Sequence, residues 1–118
     1  MSLEIEIHAE PHEGKRISLA GSLDTDTANQ LQEKIDHEID STVHMVIMDL
    51  KRLQFLSSAG LRVILKTLQL LSQRSGALAL CNANEQIREV LEISNFLSLI
   101  QCHESLEEAI AQVSSAGG

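Results

Sequence analysis

Ser57 and Ser58 are the residues of this chain best placed for chemistry, two adjacent hydroxyls just ahead of a helical repeat. Leu61, Ile64, Leu65, Leu68 and Leu71 recur at three and four residues, which places them on one face of a helix. A serine oxygen at such a helix start can cap free backbone N–H groups, a contribution of about 1 kcal/mol. A phosphate there would meet the positive end of the helix dipole. The residues alone leave both readings open, a plain cap or a switch. A catalytic constellation does not assemble. His8, His12, His37, His44 and His103 are scattered, and none has a zinc-type spacing with Cys, Asp or another His. No G-x-S-x-G elbow and no glycine-rich phosphate loop occurs. Ser57-Ser58-Ala59-Gly60 lacks the elbow's preceding glycine and any evident Asp–His pair. The expectation is a protein that is not an enzyme and uses no metal or cofactor.

The serines need elements to position them. Val43, Met45, Val46, Ile47 and Met48 form a short apolar run, suited to a strand covered on both faces. Asp49 is expected to end it, with Lys51-Arg52 as an exposed connection. Earlier, residues 3–8 and 16–20 alternate apolar and polar side chains, and Pro11-His12-Glu13-Gly14 reads as the turn of a β-hairpin. N-cap candidates Asp24, Thr25 and Asp26 then precede a surface helix carrying Ala28, Leu31, Ile35 and Ile39. After the serine-led helix, Gly76 marks its end, at the C-terminal cap or just beyond. Residues 77–81 read as a strand, Asn82-Ala83-Asn84 as a turn, and Ile87, Val90 and Leu91 as the inner face of a third helix. Residues 96–100 are expected to be the last strand, followed by a terminal helix with Leu106, Ile110 and Val113 inward. The order ββαβαβαβα predicts an α/β domain with a mixed sheet. It spans residues 1–113, with 114–118 a frayed, disordered tail.

Totals narrow the function further. The 118 residues suffice for one core. The net charge of −8 argues against non-specific nucleic-acid binding and against anchoring to anionic lipid. No run of eighteen apolar residues is present, so no direct membrane insertion is expected. Cys81 and Cys102 stand far apart without metal or redox spacing, which fits a reduced, cytoplasmic setting. Only Phe55 and Phe96 are aromatic, so the core must be aliphatic. On the serine-led helix, Val63 and Leu70 lie off the leucine stripe beside Arg62, Lys66 and Thr67. They either widen the buried face or form an exposed, mildly basic ledge for docking another protein.

The stretch MDLKRLQFLSSAGLRVIL resembles the signature of the STAS domain family, whose soluble members include bacterial anti-sigma factor antagonists. Met48-Asp49-Leu50, Phe55-Leu56 and Gly60-Leu61 carry the likeness. Gly21-Ser22-Leu23-Asp24 is similar to the family's entry into its first helix, and residues 82–84 and 93–96 resemble its later Asn-rich turn and helix. The resemblance implies function by binding: an unphosphorylated antagonist captures an anti-sigma factor or related serine kinase. That kinase phosphorylates the antagonist, and a phosphatase resets it. Aligned on Phe55 and Gly60, Ser57 falls on the family's Asp, Ser58 on the preceding Ser and Ala59 on the usual acceptor. Phosphorylation, if it operates, therefore falls to Ser58 in preference to Ser57. The implied partner-binding surface comprises Asp24, Ser57, Ser58, Ala59, Gly60, Leu61, Arg62, Val63 and Lys66. The alternatives are a STAS subunit of a transport or signalling complex without phosphorylation, and a small-ligand or nucleotide-binding STAS module.

Overall fold

A computed structural model describes residues 2–10 and 14–117, with side chains as far as Val113. Two strands, β1 (Leu3–Glu10) and β2 (Gly14–Leu23), pair antiparallel from Leu3↔Gly21 to Glu10↔Gly14. The turn expected between them lies, Gly14 apart, outside the described residues. Helix α1 (Ala28–Glu38) leads to β3 (Met45–Leu56), helix α2 (Ser58–Ser72) to β4 (Ala77–Cys81), and helix α3 (Glu85–Ile93) to β5 (Cys102–His103). Helix α4 (Leu106–Gly117) closes the chain, and its backbone continues through 114–117, where fraying was expected; residue 118 lies outside the described residues. The five strands lie side by side in chain order, parallel from β2 onward.

Strand parity divides the core in two. Val46, Met48, Leu50, Leu78 and Leu80 face one way and pack with Leu31 and Ile35 of α1, Ile64 and Leu71 of α2, and Ile87 and Leu91 of α3. Met45, Ile47, Ala79 and Cys81 face the other way and meet Ala109 and Val113 of α4. Burial on both faces explains the uninterrupted apolar run of β3.

Three expectations are corrected here. Asp49 does not end the central strand, and Lys51-Arg52 is not a connection: β3 runs on to Leu56. Two register shifts against β2 reset its alternation, so the buried side chains fall at Leu50, Leu53 and Leu56, three apart. Residues 96–100 do not form the last strand. Phe96 and Ile100 are both buried, and four residues apart they fit one turn: Phe96–Ser98 is a 3₁₀ segment, and Cys102–His103 pairs with β4 instead. The buried face of α2 is Gly60, Val63, Ile64, Thr67 and Leu71, while Leu61, Leu65 and Leu68 are only partly covered. Thr67 tolerates burial because its hydroxyl donates to the Val63 carbonyl at 2.9 Å. Gly76 lies just past the helix, where an added Cβ would collide with the His44 carbonyl oxygen.

The two cysteines come close in space without facing each other. Leu80 pairs with Cys102 across β4 and β5, so Cys102 packs on the larger core while Cys81 faces α4. Burial, with Asp49 and Cys102 nearby, pushes the Cys81 thiol up to about 12. A free thiol ionises near 8.5. Below that value both folded and unfolded chains hold the proton and the stability contribution is complete. Above it the unfolded chain ionises first, so stability is lost as pH rises toward the folded value, by up to about 1.4 kcal/mol per pH unit. Urea titrations between pH 8 and pH 10.5 should therefore show a steeper fall for wild type than for Cys81→Ala. Parallel slopes would remove Cys81 from the alkaline transition.

Candidate functional site

The carboxyl ends of β2 and β3 converge on one corner, stitched by the Ser57 N–H donating to the Leu23 carbonyl at 2.9 Å. Beyond Leu23 the chain turns sharply. Asp24 Oδ1 accepts from the backbone N–H of Asp26 at 3.0 Å and of Thr27 at 3.1 Å. Thr27 Oγ1 in turn donates to the Ser22 carbonyl at 2.8 Å and accepts from the Asp24 N–H at 2.9 Å. Asp24 is thus half-buried and one of its oxygens belongs to the turn that launches α1. Asp and Thr three apart act here as a reciprocal clasp, with the spacing and reciprocity of a capping box.

On the other side of the corner the two serines take different tasks. Ser57 is the N-cap of α2, in extended conformation, and its Oγ accepts from the Gly60 N–H at 3.4 Å. Ser58, the first helical residue, is exposed, and its hydroxyl makes no hydrogen bond among the described residues. Ala59 is half-buried, and Gly60 is buried against Leu23 and Leu56. Leu61 is partly covered by the core, Arg62 and Lys66 are exposed, and Val63 is only 6% exposed. The residues expected to bind a partner therefore gather at one end of the molecule. Within that set, Gly60 and Val63 lie beneath the surface. Val63 belongs to the contact between α1 and α2 and not to an exposed ledge.

Two features escaped the sequence reading. Phe55, immediately before the corner, is 46% exposed, an unusual position for one of only two aromatic side chains. Its exposure follows from the second register shift of β3, which turns Gln54 and Phe55 outward together. The other is a groove of about 310 Å³ between the helices, with Thr25 of the turn before α1, Asn29 of α1 and Arg62 and Lys66 of α2 along its edges. Nothing in the local pattern of residues 25–32 signals it, because the groove exists only once α1 lies beside α2. Among the described residues no three His, Cys, Asp or Glu side chains converge as metal ligands, and no helix is long and apolar enough to cross a membrane.

Comparison with known proteins places this arrangement. A family model for the STAS domain matches residues 5–109. The chain is 40% identical over 98 residues to BtrV of Bordetella bronchiseptica, a protein named as an anti-sigma factor antagonist, covering 83% of this chain and 84% of that one. It is 30% identical over 115 residues to the anti-sigma F factor antagonist of Paenibacillus polymyxa, covering 96% of this chain and 97% of that one. Among solved structures it is similar to the anti-sigma factor antagonist SpoIIAA of Bacillus in its unphosphorylated form, with a TM-score of 0.82, 26% identity and coverage of 95% and 97%. The phosphorylated form of SpoIIAA matches at a TM-score of 0.73, with coverage of 93% and 99%. From the hairpin-led sheet to the serine-capped α2, the chain belongs to the STAS domain family and is similar, within it, to anti-sigma factor antagonists.

Proposed function

We propose that this chain is a partner-switching protein that captures an anti-sigma factor with serine kinase activity, and that phosphate on Ser58 controls the capture. The observation that carries the reading is the division of labour between the serines. Ser57 is spent on capping α2, whereas Ser58 presents an unengaged hydroxyl to solvent at the first turn. The relatives named as anti-sigma factor antagonists support the class of partner, and the solved phosphorylated relative supports the kind of control. Phe55 beside the serines supplies an exposed aromatic of the type that anchors protein interfaces.

The physics favours a reversible switch at this position. A dianionic phosphate at the first helical residue is tolerated by the folded state, since it sits at the positive end of the helix dipole. The same group placed in a docking surface must be desolvated, and it repels any acidic partner group opposite. Phosphate on Ser58 would thus leave the fold standing and remove the partner, and a phosphatase would restore binding. The chain itself needs no catalytic group for this cycle, which suits a cytoplasmic binding module.

Intact mass after incubation with the cognate kinase, ATP and Mg²⁺ tests the proposal. Wild type should gain one phosphate, Ser58→Ala none, and Ser57→Ala should still gain it while losing about 0.5–1 kcal/mol of stability with the cap. A wild type that stays unmodified, while the kinase phosphorylates a known substrate, would sink the switch and favour a STAS subunit working without phosphate. Phosphate persisting in Ser58→Ala and lost in Ser57→Ala would move the site to the cap residue.

A further inference from the structure

We infer that the groove between α1 and α2 receives an acidic peptide segment of the partner, read by Arg62 and Lys66 on its rim and Gln32 in its wall. The inference rests on the α2 start being a docking surface, and it names the chemistry of what docks.

Charge distribution is the first argument. The chain carries 17 acidic residues against 9 basic ones, yet the 15 residues of α2 include Arg62 and Lys66 and no acid. Elsewhere Arg16, Lys34 and Arg52 pair with Glu10, Glu38 and Glu4, whereas Arg62 and Lys66 are in no ion pair among the described residues. The two are four residues apart, one turn along the same side of the helix, and both line the groove. The free N–H groups at the start of α2 add partial positive charge at the same end. In a molecule this acidic, a local cationic edge is complementary to carboxylates, and it also orients an acidic partner that the rest of the surface repels.

The second argument is an unmet acceptor. Gln32 donates through Nε2 to Asp36 Oδ1 at 2.9 Å, which fixes the orientation of its amide. Its Oε1 is buried and has no hydrogen-bond partner among the described residues. A buried carbonyl oxygen without a donor costs free energy, and the half-buried Gln32 side chain recovers it by turning Oε1 toward a donor that enters the groove. Carboxylates offer no donor, but the backbone N–H of a peptide carrying them does. The floor completes the fit, since Ala28, Ala59 and Val63 give small apolar contacts that suit an aliphatic side chain between two acidic ones. A volume of about 310 Å³ lies at the small end of ligand pockets and matches a few residues of extended chain.

The test needs no kinase, so its outcome is separable from that of the phosphate switch. The ¹⁵N-labelled 118-residue chain is titrated with a blocked Glu-Leu-Glu-Glu peptide, with its Gln-Leu-Gln-Gln counterpart and with sodium glutarate. The acidic peptide should shift the amides of α1 and the first turns of α2 saturably, and bind at least tenfold more tightly than the amide version. Raising salt should weaken it. The double variant R62E/K66E should lose binding by at least tenfold, and R62Q/K66Q by a smaller factor in the same direction. Lys51→Glu, an equal charge change per site outside the groove, should leave it unaltered. Absence of saturable shifts at millimolar peptide would overturn the inference, as would equal binding of the amide peptide or insensitivity to the double variants. Glutarate binding as tightly as the peptide would make the groove a small-anion site and overturn it too.

Discussion

Truncating Leu53 to Ala is expected to cost about 2–5 kcal/mol of folding stability, the loss typical of a fully buried leucine. Against a total of about 5–15 kcal/mol for a domain of this kind, that is a large fraction. Leu53 follows the charged pair Lys51-Arg52 and precedes exposed Gln54, yet its own side chain has no exposed surface. Its carbonyl also accepts from Asn84 Nδ2 at 3.2 Å, and Asn84 Oδ1 caps α3 by accepting from the Ile87 N–H at 2.8 Å. The end of β3 is thereby tied to the start of α3, so a cavity at Leu53 loosens two elements at once. Urea unfolding of Leu53→Ala and of Gln54→Ala checks this, with the second expected within about 0.5 kcal/mol of wild type. If Leu53→Ala were as mild as Gln54→Ala, residues 51–54 would behave as a solvated connection and the bulged strand would be wrong.

Leu53 also marks the boundary of what the sequence discloses. Residues 3–8 and 16–20 alternate with period two, and the structure pairs residues 3–8 one for one with 16–21. Asn82-Ala83-Asn84 reads as a turn into a helix with Ile87 and Leu91 inward, and that helix forms, with Asn84 as the cap that the structure adds. The serine pair likewise marks the start of α2, because capping is local chemistry. Legibility fails where a long-range partner sets the pattern. The buried positions Leu50, Leu53 and Leu56 follow a spacing imposed by β2, which inserts two irregularities into the ladder. The inner face of α2 is rotated from the leucine stripe toward Val63 and Thr67 because α1 lies against that side. The same contact creates the groove, whose residues are some thirty positions apart in the chain. Phe96 to Ile100 is ambiguous in a different way, since a five-residue apolar stretch fits either a strand or a turn until one knows which side chains are covered.

Gly60→Val is expected to lower stability by about 3 kcal/mol, at or beyond the usual cost of overpacking, and with it the integrity of the corner that carries both serines. Gly60 has ordinary helical geometry, so backbone freedom is not the reason for the glycine. A Cβ there would lie 2.6 Å from Leu23 Cγ and 2.9 Å from both Leu23 Cδ2 and Leu56 Cδ1. Those leucines end β2 and β3 and are themselves buried, which leaves them little room to give. Gly60→Ala meets the same obstacle with one methyl. Its overpacking cost of about 1–3 kcal/mol is partly offset by the gain of about 1 kcal/mol that alanine brings to a helix. A net loss of about 1 kcal/mol is the expected balance, read as a lower urea midpoint with unchanged slope. The valine should do more than destabilise. Pushing α2 off Leu23 lengthens the bond from the Ser57 N–H to the Leu23 carbonyl, so amide exchange at Ser57 should accelerate beyond what the global loss explains. Should Gly60→Ala prove stabilising by the full helix-propensity gain, Leu23 and Leu56 yield freely and close packing is not what holds the corner. If instead both variants lose stability in the order Ala, then Val, the glycine is what lets α2 approach the strand ends. That approach puts Ser58 at the surface, with Ser57 bonded beneath it.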